Sequence, residues 1–331
     1  MIVGKYILKH VDSIDQADLQ MFFGGLGKCV YVVSYPDDYF HKLVNIENKR
    51  NYSIAKKQKF FSHMPSGSLI VSPTETVNRF TSNRDVVSKD VVYMRSSFKY
   101  SRFKQIQYSI NLLRMLLRMD PKFRTVVFYN VEFPLFFVAW LLKLIGNFKI
   151  ILDLEDNYHE SSTNIMVNLL RRFSYKLVDG AILINRNCQK YFPLNSSLVV
   201  HNAFLEKGYK FSKKNLKNGD VLFFGGTLDE IRGVSLIPKL VLSLRKSIGN
   251  FTLKISGSGP LTEYLKNLNY PELVFLGYLD ETEYLKEMQS ADAFLILQLP
   301  DHPFSLGSFP SKIEYYAKFK KPIYRLDFHD E

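Results

Sequence analysis

The sequence predicts an α/β protein of two doubly wound domains facing each other across a cleft. Three observations carry that expectation. Short β-rich runs alternate with longer helical patterns along the whole chain, as in βαβ units around a parallel sheet. One polar, lysine-rich stretch, EKGYKFSKKNLKNGD at Glu206 to Asp220, interrupts the alternation and reads as a linker. After it, strands end repeatedly in glycine turns. The domains expected are therefore 1–205 and 221–331, joined by 206–220, and 331 residues suffice for each to bury its own core.

The first half offers strands at Tyr6 to Val11, Cys29 to Tyr35, Ser68 to Ser72, Val91 to Met94, Thr125 to Asn130, Lys149 to Asp156, Gly180 to Asn185 and Ser197 to Asn202. Helical spacing falls at Asp15 to Leu26, Phe103 to Met119, Leu135 to Ile145 and Asn164 to Leu177. GGLGKC follows a helical pattern and precedes a strand, so it is a helix stop and not a dinucleotide fingerprint. In the second half VLFFGGT, FTLKISGSGP, LVFLGYL, AFLILQL and PIYRL are strands, and SLIPKLVLSLRKS, LTEYLKNL and TEYLKEMQSA are helices between them. A further helix is expected in SFPSKIEYYAKFKK, starting at Pro310 with Ser308 or Phe309 as its cap.

Composition excludes several classes. A hydrophobic content of 46% with 15% aromatics belongs to a packed globular chain and not to a disordered one. MIVGKYILKHVDS lacks the apolar core of a secretory signal, and the longest apolar run, Phe133 to Ile145, contains Lys143 and is too short to span a bilayer. Cys29 and Cys188 offer neither a disulfide framework nor metal-ligand spacing, and the expected location is cytoplasmic. The net charge is +12, with 27 Lys and Arg against 16 Asp and Glu through residue 200 and 17 against 16 afterwards. A basic first half suits an anionic partner: a membrane face, a phosphorylated acceptor or, least of the three, nucleic acid, for which no reading motif accompanies the charge. The helices at Ser109 to Met119 and Pro134 to Ile145 combine apolar residues with flanking cations. They either rest on the inner face of the cell membrane or are ordinary helices packed on a sheet.

In open α/β sheets ligands bind beyond the carboxyl ends of the strands, where glycine lets backbone approach closely. Gly225, Gly226, Gly257, Gly259, Gly277 and Gly307 all fall at such ends. Lys312, in the first turn of the SFPSKIEYYA helix, has the wrong charge for the helix dipole and the right one for a bound phosphate. Arg232, before the first helix of the second domain, is either a solvated surface arginine or the other jaw of a diphosphate clamp.

FFGGTLDEIRGVSLI, LKISGSGP, VFLGYLDETEYLKEMQSADAFLIL and PSKIEYYAKFKKPI, in that order and spacing, resemble the C-terminal half of a GT-B fold glycosyltransferase, most closely the family 4 retaining enzymes. The resemblance covers residues 220 to 324. ILDLEDNY and VVHNAF resemble first-domain segments of the same family more weakly. It implies two Rossmann-like domains and metal-independent transfer of a sugar from a nucleoside-diphosphate donor to an acceptor, with a UDP-sugar preferred over a GDP-sugar. The acceptor implied is a saccharide, lipid-diphosphate-linked, in the synthesis of a surface polysaccharide or related glycoconjugate.

By the same resemblance Arg232 and Lys312 neutralise the diphosphate, the backbone at Ser311 joins Lys312 at the phosphate, and Ser308 is a further donor-binding candidate. Gly225, Gly226, Gly257 and Gly259 flank the donor, and Tyr278 stands where the base binds. Glu314 holds the ribose if the motif is slid by one residue; an ungapped match puts Tyr315 there and Gly307 at the partner position. Glu155 and Asp156 either face the acceptor or transferred sugar or cap the next helix. The chain departs from the family at Gly226, where an arginine is usual. It also stops soon after the Pro-Ile strand, without the usual terminal helices. That end leaves either a minimal domain or an edge covered by a partner subunit, so an oligomer is expected. These departures keep two alternatives in view: a pseudoenzyme acting as a binding or chaperone subunit, and a sugar-nucleotide epimerase.

Overall fold

A computed structural model describes residues 1–3, 5–11, 19–32, 64–74, 86–88, 91–95, 102–130, 135–154, 165–193, 197–200 and 209–328. In chain order the elements are β1 (Ile2–Val3), β2 (Tyr6–His10), α1 (Leu19–Gly24), β3 (Cys29–Val32), β4 (Leu69–Thr74), β5 (Val86–Ser88), β6 (Val91–Arg95), α2 (Arg102–Arg118), β7 (Thr125–Tyr129), α3 (Leu135–Ile145), β8 (Lys149–Leu154), α4 (Ile165–Leu177), β9 (Gly180–Leu183) and β10 (Ser197–Val200). They continue with β11 (Val221–Thr227), α5 (Ile237–Ile248), β12 (Thr252–Ser258), α6 (Thr262–Lys266), β13 (Leu273–Gly277), α7 (Glu281–Ser290), β14 (Ala293–Ile296), α8 (Pro303–Leu306), α9 (Lys312–Ala317) and β15 (Ile323–Phe328).

The described strands form two sheets. The first runs β10-β9-β8-β7-β3-β4-β6-β5, parallel except for β5 against β6. Helix α2 buries Tyr108, Leu112 and Leu116 at helical spacing, and α3 buries Leu135, Val138 and Leu142. These stripes share one apolar cluster with Val30, Val126, Phe128, Ile150 and Leu152 of the sheet.

The second sheet runs β1-β2-β15-β14-β11-β12-β13. Its central strands β11 and β14 are buried on both faces, so neighbouring residues serve different cores. Leu222, Phe224 and Leu295 pack with Ile237, Leu240 and Leu244 of α5, whereas Phe223, Phe294 and Ile296 pack with Met288 of α7 and with Ile313 and Tyr316 of α9. Helix α7 starts at a capping box: Glu283 N–H donates to Asp280, and the Glu283 carboxylate accepts from the Asp280 amide.

The chain divides into two compact units, the first of residues 16–202 and the second of residues 1–15 with 203–331. This corrects the boundary read from sequence, which gave residues 1–205 to the first domain. The β1–β2 hairpin belongs to the second sheet because β2 pairs antiparallel with β15, from Tyr324 opposite His10 to Phe328 opposite Tyr6. The same pairing corrects the reason for expecting a partner subunit, since the chain's own amino-terminal strand covers the edge of β15. Lys5 donates to Asp301 over 2.5 Å and the Tyr6 hydroxyl donates to Asp301 over 2.6 Å, tying the hairpin to the loop after β14.

Candidate functional site

β11, β12, β13 and β14 are mutually parallel, so their carboxyl ends share one edge of the second sheet. Gly225 and Gly226 end β11, and Gly226 pairs with Gly257 at the end of β12. Each glycine answers a different steric demand. A Cβ on Gly257, whose φ is +143°, would overlap the Gly226 carbonyl; one on Gly259 would overlap the backbone of Leu228; one on Gly225 would overlap the Tyr284 hydroxyl. These three glycines therefore serve close backbone and ring packing at the edge. A Cβ on Gly226 meets nothing within 4 Å, so that side of the edge is open.

Helix α9 lies over the same edge. The Gly225 amide donates to the Tyr316 hydroxyl over 3.1 Å, and Tyr316 stacks on Phe294 at 4.4 Å between ring centroids. The helix begins at Lys312, two residues later than its proline predicted. Ser308 and Phe309 do not cap it, because the Pro310 carbonyl first closes a turn by accepting from the Ile313 amide over 3.0 Å. Ser311 occupies the cap position but its side chain makes no capping bond. The buried Ser308 hydroxyl instead accepts from Gln298 Nε2 over 3.1 Å. The intervening four-residue α8 escaped the sequence reading, although His302 capping the Phe304 amide and Pro303 in the first turn were its local signals.

Lys312 is half-buried, its ammonium 4.7 Å from the Tyr284 ring centroid and 5.7 Å from that of Tyr315. Among the described residues no carboxylate pairs with it. Burial pushes its ammonium below the usual lysine range, and pushes the Tyr284 phenol up to about 12. Arg232 is engaged differently: its guanidinium donates to Asp229 over 2.6 Å and lies 5.9 Å from the Phe304 ring centroid. Its loop is fixed by the Leu299 amide, which donates to Ile231 over 2.9 Å, and by Gly233, where a Cβ would overlap the Leu297 carbonyl. Arg232 and Lys312 thus belong to two segments that both pack on the end of β14. Glu314 is buried on α9, Tyr315 beside it is half-buried, and Tyr278 is exposed in the turn after β13.

Glu155 and Asp156 lie outside the described residues. At the carboxyl edge of the first sheet the described residues include a pair that the sequence reading passed over. The Tyr31 hydroxyl donates to the Asp153 carboxylate, and the Asn130 amide, at φ 39°, donates to the Asp153 carbonyl over 2.8 Å. The signal was the polar residue closing each apolar run, Asn130 after TVVFY and Asp153 within KIILDL. Among the described residues no three His, Cys, Asp or Glu side chains gather as a metal-binding group.

Comparison with solved structures defines the class of fold. The chain is similar to Trehalose-6-phosphate from E. coli bound with UDP-2-fluoro glucose, with a TM-score of 0.55 and 12% identity over 89% of this chain and 82% of that one. It is similar to the trehalose-6-phosphate synthase OtsA, at 0.54 and 13% over the same shares. It is also similar to an alpha,alpha-trehalose-phosphate synthase (UDP-forming) from Burkholderia vietnamiensis, at 0.51 and 10% over 89% and 80%. The fold is GT-B, as the sequence resemblance implied. No family model matches the chain, and no curated protein matches it by sequence.

Proposed function

We propose that this chain is a glycosyltransferase whose second sheet holds a nucleoside-diphosphate sugar at its carboxyl edge, the diphosphate lying against Lys312. The observation that carries the reading is the state of that lysine: half-buried, without a carboxylate partner among the described residues, and beside the close-packed Gly225 turn. A cation in such a place is costly until an anion joins it. In transfer, charge develops on the diphosphate as its bond to the sugar breaks, and a fixed ammonium stabilises it without a metal. Ser308 and Ser311 flank Lys312 on the phosphate side, and Glu314 holds the ribose. Asp229 orients Arg232 as the second cation, while Gly226 leaves room for the donor. UDP is the preferred nucleotide of the donor, in keeping with the UDP-2-fluoro glucose bound by one structure of the same fold. The basic first unit suits a lipid-diphosphate-linked saccharide acceptor, with the configuration of the sugar retained.

A pseudoenzyme is the second reading, favoured by the Arg232–Asp229 ion pair at 2.6 Å, which meets the arginine's charge from within the chain. Release of UDP from UDP-sugars, measured with and without a bacterial lipid extract as acceptor source, separates the two. The enzyme reading expects release that is lost in Lys312→Ala; binding of UDP without turnover of any donor supports the pseudoenzyme.

A further inference from the structure

Helices α2, α3 and α4 cover the first sheet side by side, with α3 packed against both neighbours. They carry four, one and three basic residues respectively, and not one Asp or Glu among them. Their outward faces are not polar in the ordinary way. Opposite its buried stripe, α3 exposes Leu141 and Leu144, the latter at 67%; α4 exposes Leu169 at 54% and Phe173 at 50%. Trp140 meets the Phe173 ring edge to face at 5.7 Å, which makes the apolar strip continuous from α3 to α4. Arg114 on α2 and Lys176 on α4 are exposed cations of the two helices packed against α3.

We infer that this three-helix face docks on an anionic lipid bilayer. Exposed leucines and a phenylalanine at helical spacing, on helices that carry eight basic residues, of which Lys143 pairs with Asp179, and no Asp or Glu of their own, are what a headgroup layer receives: the apolar side chains enter the acyl boundary and the cations meet lipid phosphates. Helix α3 is 11 residues, roughly 16 Å long, so it lies on the surface and does not cross. Charge decides against a second copy of the chain as the occupant, because a twofold contact would set the basic face against itself. Nucleic acid would meet the cations but give the leucines no partner. The inference is independent of the donor reading, since vesicle binding needs no nucleotide, and either can fail alone.

The test is flotation of the full chain with vesicles of phosphatidylcholine alone and of phosphatidylcholine with phosphatidylglycerol in equal parts. Binding is expected to the mixed vesicles only, and to fall when NaCl is raised to about 0.5 M, where screening is over a few ångströms. Leu144→Asp with Phe173→Asp, and separately Arg114→Glu with Lys176→Glu, should each weaken partitioning on the order of tenfold or more. Leu242→Asp, at an exposed leucine of the second unit, should leave it unchanged. Circular dichroism checks that each variant folds, and Lys176→Glu alone replaces any double variant that does not. No binding, equal binding to neutral vesicles, binding indifferent to the face variants, or a dimer in sedimentation that Leu144→Asp dissociates would each overturn the inference.

Discussion

The ammonium of Lys312 lies 4.7 Å from the centroid of the Tyr284 ring, and the hydroxyl of that same ring fills the space a side chain at Gly225 would take. One tyrosine therefore joins the cation of α9 to the glycine turn of β11. Burial depresses the lysine, and the sign of the consequence is fixed. A lysine whose folded value lies below its ordinary 10.5 costs the fold while it is charged, and the cost is relieved as pH rises through the lowered value. A bound diphosphate reverses that balance. Stabilisation by UDP should be largest at neutral pH and decline before the ordinary lysine value of 10.5 is reached, which melting with and without UDP across that range would reveal.

Replacing the cation should separate stability from binding. Lys312→Met keeps the stem against Tyr284 and Tyr315 and removes the desolvated charge. Its ligand-free midpoint should hold or rise by up to about 2–4 °C, while the UDP-induced shift disappears. Differential scanning calorimetry reads both.

A glycine of the sheet edge and a glycine of a helix end should respond unequally to substitution. Gly257→Ala forces overlap with the Gly226 carbonyl and should cost about 2–4 kcal/mol, seen as early melting of the second unit. Gly24→Ala, at the end of α1, meets nothing within 4 Å and should stay within about 0.5 kcal/mol.

The amino-terminal hairpin should carry an acid limb of stability. Hydrogen bonds from Lys5 and then Tyr6 hold the Asp301 carboxyl below its ordinary 3.8. That contribution is complete above 3.8 and is lost as pH falls through the lowered folded value. Asp301→Asn should flatten this limb in acid titrations followed by circular dichroism, and deletion of residues 1–11 should expose the edge of β15 and promote aggregation.

The second-half alternation was legible because apolar runs there end in glycine turns, so the bounds of β11 emerge at Val221 and Thr227 from the pattern alone. The same holds for α3, whose apolar face runs from Leu135 to Ile145. What local pattern could not carry was long-range pairing. YILKH reads as a strand, yet nothing within it says that its partner is β15, more than three hundred residues on. The start of α9 was misread because a proline suited to a first helical turn serves equally as the acceptor of a turn one step earlier. Lys312 was legible as a cation at a strand-to-helix junction; its burial among tyrosines was not, since that depends on α7 and α9 packing side by side. Lys321 shows the converse: in sequence it is one more lysine of the KFKK run, whereas in the fold it caps the last carbonyls of α7, donating to Ala291 and, over 2.5 Å, to Gln289.

The most direct test of the central claim is thermal unfolding of the purified chain with UDP, GDP, dTDP, ADP and CMP in turn, for the wild type and for Lys312→Ala. A ligand at about 100 times its dissociation constant stabilises by roughly 2.7 kcal/mol, a shift of several degrees. The expected result is a shift with one nucleoside diphosphate, UDP foremost, that Lys312→Ala abolishes. No shift with any of them, or a shift that survives in Lys312→Ala, would contradict a donor site built on Lys312.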